Sequence, residues 1–149
     1  MRPWGVATVF VFAACAQAPP GPAPLDTRNE WCSSCRMAVS DARFAAQLVA
    51  PSEEPRFFDD IGCLRSYLEA SRRALPGAVT YVADHGTKAW VAATHAVYTR
   101  AASLETPMGS RILAHSNAAS RDADPDAKDG ALLGLAEVFG PGGPPGGSR

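Results

Sequence analysis

The chain has 149 residues, 46% of them hydrophobic, with 14 basic and 15 acidic side chains. That length allows one ordinary domain or two very small ones. The near balance of charge excludes a strongly basic nucleic-acid-binding surface and a long acidic tail, so no nucleic-acid partner is expected.

The N-terminus has the pattern of an export signal. Arg2 precedes a short apolar run over residues 6–14, which is too short to span a bilayer. The run ends in Phe-Ala-Ala-Cys15, and small residues directly before a cysteine resemble the lipobox of bacterial lipoproteins. We predict a lipoprotein signal peptide over residues 1–14 and lipidation of Cys15. A plain secretory signal, cut at an Ala-x-Ala-like site, is the alternative.

Export takes the protein out of the cytoplasm. A lipid on Cys15 would anchor it to a membrane, facing the periplasm, and Ala16 in place of aspartate makes the outer membrane the expected destination. Residues 15–30 contain four prolines and few large apolar groups, which predicts a semi-extended tether. Residues 140–149 are rich in Gly and Pro and are predicted to be disordered.

The first part of the folded region is predicted to contain short strands followed by a helix. Apolar stretches at residues 37–39 and 44–49, separated by a turn-like Ser-Asp pair, predict a β-hairpin. Residues 56–58 predict another short strand. The Asp59-Asp60 pair is typical of a helix N-cap, and apolar residues on one helical face then predict a helix running to about Leu75.

The second part again combines strands with a helix. Strands are predicted over residues 79–83, 88–92, 96–101 and 111–115. Residues 117–129 predict a helix that Pro125 limits or restarts, and residues 132–139 close the domain. The predicted fold class is α+β, with two small ββα-type units packed together over residues 31–77 and 78–139.

Two thiols and a thioether lie within six residues, at Cys32, Cys35 and Met37. Soft sulfur ligands suit copper(I), whereas magnesium and calcium take oxygen ligands. Side chains two positions apart on an extended segment point to the same face. We therefore predict that Cys35 and Met37 form a two-sulfur copper(I) site, with Cys32 as an auxiliary thiol.

A thioredoxin-like redox pair is the main alternative, because Trp31 precedes the Cys-x-x-Cys motif and Thr106-Pro107 resembles the loop proline of such proteins. That chemistry needs the pair at a helix N-terminus, whereas strand and turn are predicted here. A closed zinc site is disfavoured because there is no second Cys-x-x-Cys pair. Arg36 excludes c-type haem attachment, which needs histidine directly after the second cysteine.

Further ligands are expected from other parts of the chain. Met108 lies in a predicted Thr-Pro-Met-Gly loop, where a thioether has little packing use, and is a candidate third ligand. His115 is close enough in sequence to join Met108 across a strand. Cys63 is expected in the first helical turn, where the dipole favours its thiolate, or as a small buried residue. A disulfide between Cys63 and Cys32 or Cys35 stays open.

Several segments taken together resemble the NosL family, whose members are accessory lipoproteins for nitrous-oxide reductase. The matching segments occur in family order and cover most of residues 31–116. They are Cys32-x-x-Cys35-x-Met37 and residues 40–47, 58–64, 81–82 with 90–93, and 106–110.

The resemblance implies a periplasm-facing copper(I)-binding lipoprotein, not an enzyme, that supplies copper to the tetranuclear centre of nitrous-oxide reductase and so serves denitrification. It also implies an α+β fold of two ββα-type units, with Cys35 and Met37 as the ligand pair. The family usually has Phe at the position of His115, and residues 122–130 depart from its pattern. These departures leave another exported copper enzyme open as the acceptor.

Overall fold

The structure is a computed structural model that describes residues 18–71 and 75–146. The predicted signal peptide and Cys15 lie outside the described residues. The described elements, in chain order, are β1 (Ala46–Val49), β2 (Arg56–Phe58), α1 (Ile61–Ala70), β3 (Val79–Ala83), β4 (Trp90–Ala92), β5 (Val97–Arg100), β6 (Ile112–His115), α2 (Ala118–Ala123), a 3₁₀ turn (Pro125–Ala127), β7 (Ala131–Leu133) and α3 (Leu135–Phe139).

The strands form two antiparallel sheets, which confirms the α+β class. The first sheet has the order β2-β1-β3-β4, with Gln47 of β1 opposite both Phe57 and Tyr81. The second has the order β6-β5-β7, with Tyr98 of β5 opposite Ala114 and Leu133. Helix α1 follows β2 and packs against β1, β2 and β6, so it contacts both sheets.

The sheets divide the chain at a different place from the predicted units. Strand β3 pairs with β1, and β4 pairs with β3. A boundary at residue 77 would therefore cut the first sheet between β1 and β3. The break between the sheets falls between β4 and β5 instead. The hydroxyl of Tyr98, in β5, donates to the carbonyl of Ala93 at 2.7 Å and ties the second sheet to the end of the first.

The predicted hairpin over residues 37–49 is wrong. Residues 37–39 form no strand, and a single isolated bridge joins Trp31 to Ala38. The Asp41 carboxylate accepts the Arg43 backbone N–H at 2.9 Å, which holds these residues in a turn. The chain therefore becomes extended only at β1, which pairs with β2 and β3.

The other predicted elements are confirmed in type, with corrected ends. Strand β3 covers the predicted residues 79–83, whereas β4 begins at Trp90 because Lys88 has a left-handed φ of 63°. Helix α1 ends at Ala70, before the predicted end near Leu75. The backbone is extended at Ser71, whose N–H donates to the Tyr67 carbonyl. Pro125 does restart the late helix, as a 3₁₀ turn.

Parts of the predicted tether and tail pack on the first sheet. Buried Gln47 accepts from the Ala23 N–H at 2.8 Å and donates to the Ala23 carbonyl at 3.2 Å. The N–H of buried Thr80 donates to the Pro145 carbonyl at 2.8 Å. Polar groups inside the sheet need partners, and the proline-rich segments supply them. Residues 23 and 145 therefore belong to the domain surface rather than to free linkers.

The main apolar core lies between the first sheet, α1 and the second sheet. Its largest fully buried members are Tyr98, Phe58, Leu48 and Leu64. In the described part of the chain, no helix is both long and apolar enough to span a bilayer.

Candidate metal centre

Four side chains that can ligate a metal converge beside the start of α1. The ligand atoms of Cys32, Cys35, Asp59 and Cys63 all lie within 4.8 Å of one another. We call these four residues the sulfur group. Cys32, Asp59 and Cys63 are buried, with exposed fractions of 0%, 2% and 4%, whereas Cys35 is partly exposed. The group therefore has a closed side and a side that reaches the surface at Cys35.

A tight loop brings the first two thiols into the group. The Arg36 N–H donates to the Cys32 carbonyl at 3.0 Å, and the Cys32 N–H donates to the Met37 carbonyl at 2.8 Å. Arg36 has a φ of 67°, a left-handed conformation that is uncommon for a residue other than glycine. The segment is not extended, so the argument that Cys35 and Met37 point to one face does not apply. Met37 is 47% exposed at the end of this loop.

The adjacent Asp59 and Asp60 contact different parts of the site, the thiols and the helix. The Asp60 carboxylate is the N-cap of α1 and accepts the Gly62 N–H at 2.6 Å. Asp59 is left to face the cysteines, and its carboxylate accepts from the Cys35 thiol at 3.4 Å. The second oxygen of Asp59 is buried without a hydrogen-bond partner among the described residues. A buried, half-satisfied carboxylate beside three sulfurs fits a metal-binding role.

Two thiols of the group, Cys63 and Cys35, have raised pKa values, which favours their protonated forms in the metal-free protein. Burial raises the pKa of the Cys63 thiol, and a hydrogen bond to Asp59 raises it further. Burial also raises the pKa of Cys35, with smaller contributions from Cys32 and Asp59. The expectation that the helix dipole favours a Cys63 thiolate is therefore wrong, because desolvation outweighs the dipole. A metal must displace these protons to bind.

Met108 lies beside the open side of the sulfur group. It lines one surface cleft together with Cys35 and Cys63, and its side chain is 46% exposed. The Asp60 carboxylate, besides capping α1, accepts from the Thr106 hydroxyl at 2.6 Å and the Met108 N–H at 3.1 Å. One buried carboxylate thus fixes both the start of α1 and the loop that carries Met108.

Gly62 allows this loop to approach the helix closely. A Cβ at Gly62 would lie 2.8 Å from the Ser110 Cβ and 3.1 Å from an Asp60 carboxylate oxygen. Any larger residue would push the loop away from α1. The position of Met108 over the cleft therefore depends on glycine at this point.

One comparison with known proteins identifies a family. A family model described as NosL matches residues 22–140. The chain belongs to the NosL family. NosL proteins are accessory copper-binding proteins, which are not a known class of enzyme. The match begins just before Ala23, where the predicted tether joins the first sheet. No curated protein and no solved structure gave a significant match.

In this NosL protein, His115 is not part of the sulfur group. It is fully buried at the end of β6, where its Nε2 lies 2.9 Å from an Asp124 carboxylate oxygen. The same oxygen lies 2.6 Å from His85 Nδ1. We call His85, His115 and Asp124 the histidine group. Burial alone would raise the pKa of Asp124, but hydrogen bonds from His115 and then His85 hold it below its ordinary value.

Sequence reasoning found the first thiols of this NosL site but missed two of its members. Cys63 was expected as a small buried residue, a first-turn thiolate or a disulfide partner, and Asp59 as a helix cap. Cys32, Cys35 and Cys63 are all free thiols in the structure. The sequence does contain a signal for Asp59. A helix has one N-cap residue, so only one of the adjacent Asp59 and Asp60 can cap α1, and the other is free to face Cys63.

Proposed function

We propose that this NosL protein is a copper chaperone that binds copper(I) in the sulfur group. It delivers the ion to an exported copper enzyme, with the tetranuclear centre of nitrous-oxide reductase as the expected acceptor. The observation that carries the proposal is the convergence of three cysteine sulfurs and one carboxylate within 4.8 Å. Membership of a copper-binding family supports the choice of metal.

The ligand chemistry favours copper(I) over harder ions. Thiolate and thioether ligands select copper(I), whereas carboxylate and water suit calcium and magnesium. Cys35 is the thiol nearest the surface, and Met108 adds a thioether to the same cleft. Met37 does not line this cleft, but it is 47% exposed at the end of the loop that carries Cys35, where it can offer a further thioether. Cys35, Met37 and Met108 therefore remain the proposed outer ligands, and Cys32 an inner one.

The uneven burial of the group suits transfer by ligand exchange. Cys32 is fully buried and Cys63 is only 4% exposed in the cleft, so these two would hold the ion, whereas the side of the cleft at Cys35 and Met108 admits a ligand from a partner protein. A copper(I) ion of low coordination number accepts an incoming sulfur or imidazole before an old ligand leaves. Release then needs no unfolding of the core around α1.

Zinc is the rival cargo. Three thiols and a carboxylate make up the four ligands that a tetrahedral zinc site requires, so the lack of a second Cys-x-x-Cys pair no longer argues against it. The exposed thioethers favour copper, because zinc takes nitrogen, oxygen and thiolate ligands in proteins. Equal retention of zinc and copper(I) after dialysis against matched chelators would favour the zinc alternative.

The thioredoxin-like alternative finds no support in this geometry. Cys32 and Cys35 lie in a turn, and no helix starts at the pair. The first cysteine of such a pair is the one that attacks the substrate, and Cys32 is fully buried here, with an exposed fraction of 0%. Catalytic turnover of a disulfide substrate by the reduced protein would revive this alternative.

The proposal includes a lipid anchor at Cys15, outside the described residues, which would hold the chaperone at the membrane facing the periplasm. Mass spectrometry of the mature protein checks for an acylated N-terminal cysteine. Cys15→Ser should release the protein into the soluble periplasmic fraction. A mature chain that begins after Ala18 without lipid would contradict the anchor and leave copper binding as a separate question.

The central test is a copper(I) titration of the fully reduced protein against a colorimetric chelator. We expect one tightly held ion per chain, transferable to metal-free nitrous-oxide reductase with recovery of its activity. Ser66→Ala is a matched control, because Ser66 lines the same cleft but offers no soft ligand. Failure of the reduced protein to compete with the chelator would contradict copper binding, whereas tight binding without transfer would contradict only the acceptor.

A further inference from the structure

The histidine group has the composition of a metal site without sulfur ligands. Its three potential ligand atoms, His85 Nδ1, His115 Nε2 and Asp124 Oδ2, lie within 4.8 Å of one another. All three residues are buried, with exposed fractions of 3%, 0% and 7%. They come from three separate places in the chain, the turn after β3, the end of β6 and the start of the 3₁₀ turn.

Contacts outside the group hold each ligand in place. The backbone N–H of His85 donates to the Ala114 carbonyl at 2.8 Å, which fixes the His85 turn against β6. Asp124 uses its Oδ1 to accept the Asp126 N–H at 2.9 Å, so only Oδ2 faces the histidines. Ligands of protein metal sites are oriented by such outer hydrogen bonds.

Neither histidine ring is tied to another group through its second nitrogen. His85 Nε2 and His115 Nδ1 are buried and have no hydrogen-bond partner among the described residues. When His85 Nδ1 binds a metal, the ring proton is on Nε2, and the Asp126 carboxylate lies 3.9 Å from that nitrogen, just beyond hydrogen-bond distance. A carboxylate behind a ligating histidine is a common second contact in zinc sites.

We propose that His85 Nδ1, His115 Nε2 and Asp124 Oδ2 form a second metal site, for a divalent ion of the zinc class. Two neutral imidazoles and one carboxylate supply the ligand types that zinc prefers in open, three-ligand sites. The set contains no sulfur, so it does not select copper(I). A surface cleft lined by Ser116, Ser120 and Asp124 lies on the Asp124 side of the group, and we expect the ion and a water as fourth ligand to enter from there.

The decisive experiment separates this site from the sulfur group. The variant Cys32→Ser/Cys35→Ser/Cys63→Ser removes every described thiol, and cobalt(II) serves as a coloured probe for zinc. We expect one bound cobalt(II), with visible ligand-field bands but no thiolate-to-cobalt charge-transfer band. Adding Asp124→Asn or His115→Phe should lower the cobalt affinity at least about 100-fold, since even outer-contact changes cost 10–100-fold. His95→Asn, at an exposed histidine, is the matched control.

A second measurement needs no substitution. Nitrogen-15 NMR of the wild-type protein with excess zinc should shift His85 Nδ1 and His115 Nε2, the two predicted ligand atoms, and leave His95 nearly unchanged. A folded wild-type protein whose His85 and His115 nitrogens do not respond to zinc would overturn the proposal, as would full cobalt binding by the Asp124→Asn variant. Both results leave copper binding in the sulfur group untouched, so the two proposals fail separately.

Discussion

The sulfur group and the histidine group are built in similar ways but differ in ligand softness and in access. Each draws its members from loops and element ends that only the folded chain brings together. The sulfur group has soft thiols and opens at Cys35 onto a cleft that Met108 shares. The histidine group has borderline nitrogen and oxygen ligands, all buried. The contrast suggests that one group exchanges its ion and the other retains it.

The difference in access follows from local backbone structure. The left-handed Arg36 lets the Cys32–Cys35 loop fold back on itself, so one thiol is sealed while the other meets the surface. His115 lies instead within a strand, and its side chain is enclosed by neighbouring elements. A loop can present a ligand for transfer, whereas a sheet position favours permanent occupancy.

The largest expected effect comes from removing a ligand of the sulfur group and measuring metal binding at both groups. Cys35→Ser should weaken copper(I) binding at least about 100-fold, because loss of a ligand costs no less than loss of an outer contact. The same variant should bind cobalt(II) in the histidine group as the wild type does. Chelator competition and cobalt spectra on one preparation measure both effects. Parallel loss of both metals would mean that the groups are one cooperative site.

Raising the pH should destabilise the metal-free protein through the sulfur group. The folded pKa of buried Cys63 is raised, so the stabilisation is complete below the unfolded thiol pKa of about 8.5 and is lost as the pH rises above it. The free energy of unfolding should fall by about 1.4 kcal/mol per pH unit for each thiol that stays protonated when folded. Urea denaturation between about pH 8 and pH 9 keeps below the ordinary tyrosine pKa of about 10.

Two comparisons sharpen this pH prediction. Cys63→Ala should flatten the dependence of the unfolding free energy on pH. Of Cys35 and Cys63, the two thiols with raised pKa values, it removes the more buried one. The copper(I)-loaded wild-type protein should also show a flatter slope, since its bound thiolates carry no proton. An unchanged slope in both samples would show that groups elsewhere set the alkaline stability.

Met108→Leu should produce a smaller effect, confined to the open side of the sulfur group. It keeps the size and apolar character of the side chain but removes the thioether. We expect copper(I) affinity to fall roughly tenfold, or about 1.4 kcal/mol, and transfer to the acceptor to change in rate. Met37→Leu on the adjoining loop provides the direct comparison. No loss in either variant would restrict the ligands to Cys32, Cys35 and Cys63.

Gly62→Ala should give the smallest effect on binding and needs no change of ligand. The added Cβ would press on Ser110 and move the Met108 loop away from Cys63. We expect a loss of less than about tenfold in copper(I) affinity, with the cobalt spectrum of the histidine group unchanged. Isothermal titration of copper(I) can resolve this difference. A Gly62→Ala protein with full affinity would show that the loop position is irrelevant.

The sequence alone predicts those features of the fold and the site that depend on residues close together in the chain. The β-branched and aromatic residues at 79–83 predict β3 correctly, and the Asp-Asp pair marks the start of α1. The soft-sulfur motif identifies Cys32 and Cys35. Each of these depends on local propensity, capping or ligand type, which a single sequence displays directly.

The rest depends on contacts between distant residues. The two aspartates before Cys63 indicate that one carboxylate has a partner other than the helix, but they do not reveal that α1 presents Cys63 to the loop at residues 32–37. The failed hairpin has the same cause, because pairing with β2 and β3 outweighs the local preference of residues 37–39 for a strand. His85 and His115 lie 30 residues apart, and only the topology shows that Asp124 joins them.

The shared carboxylate of Asp60 has a consequence for the order in which the site forms during folding. It joins the start of α1 to the loop at Thr106 and Met108, two segments that the chain supplies far apart in sequence. The four residues of the sulfur group all come from residues 32–63, whereas Met108 reaches the cleft only when its loop binds Asp60. The buried part of the site can therefore form before the second sheet, and its open side, where a partner would enter, is completed last.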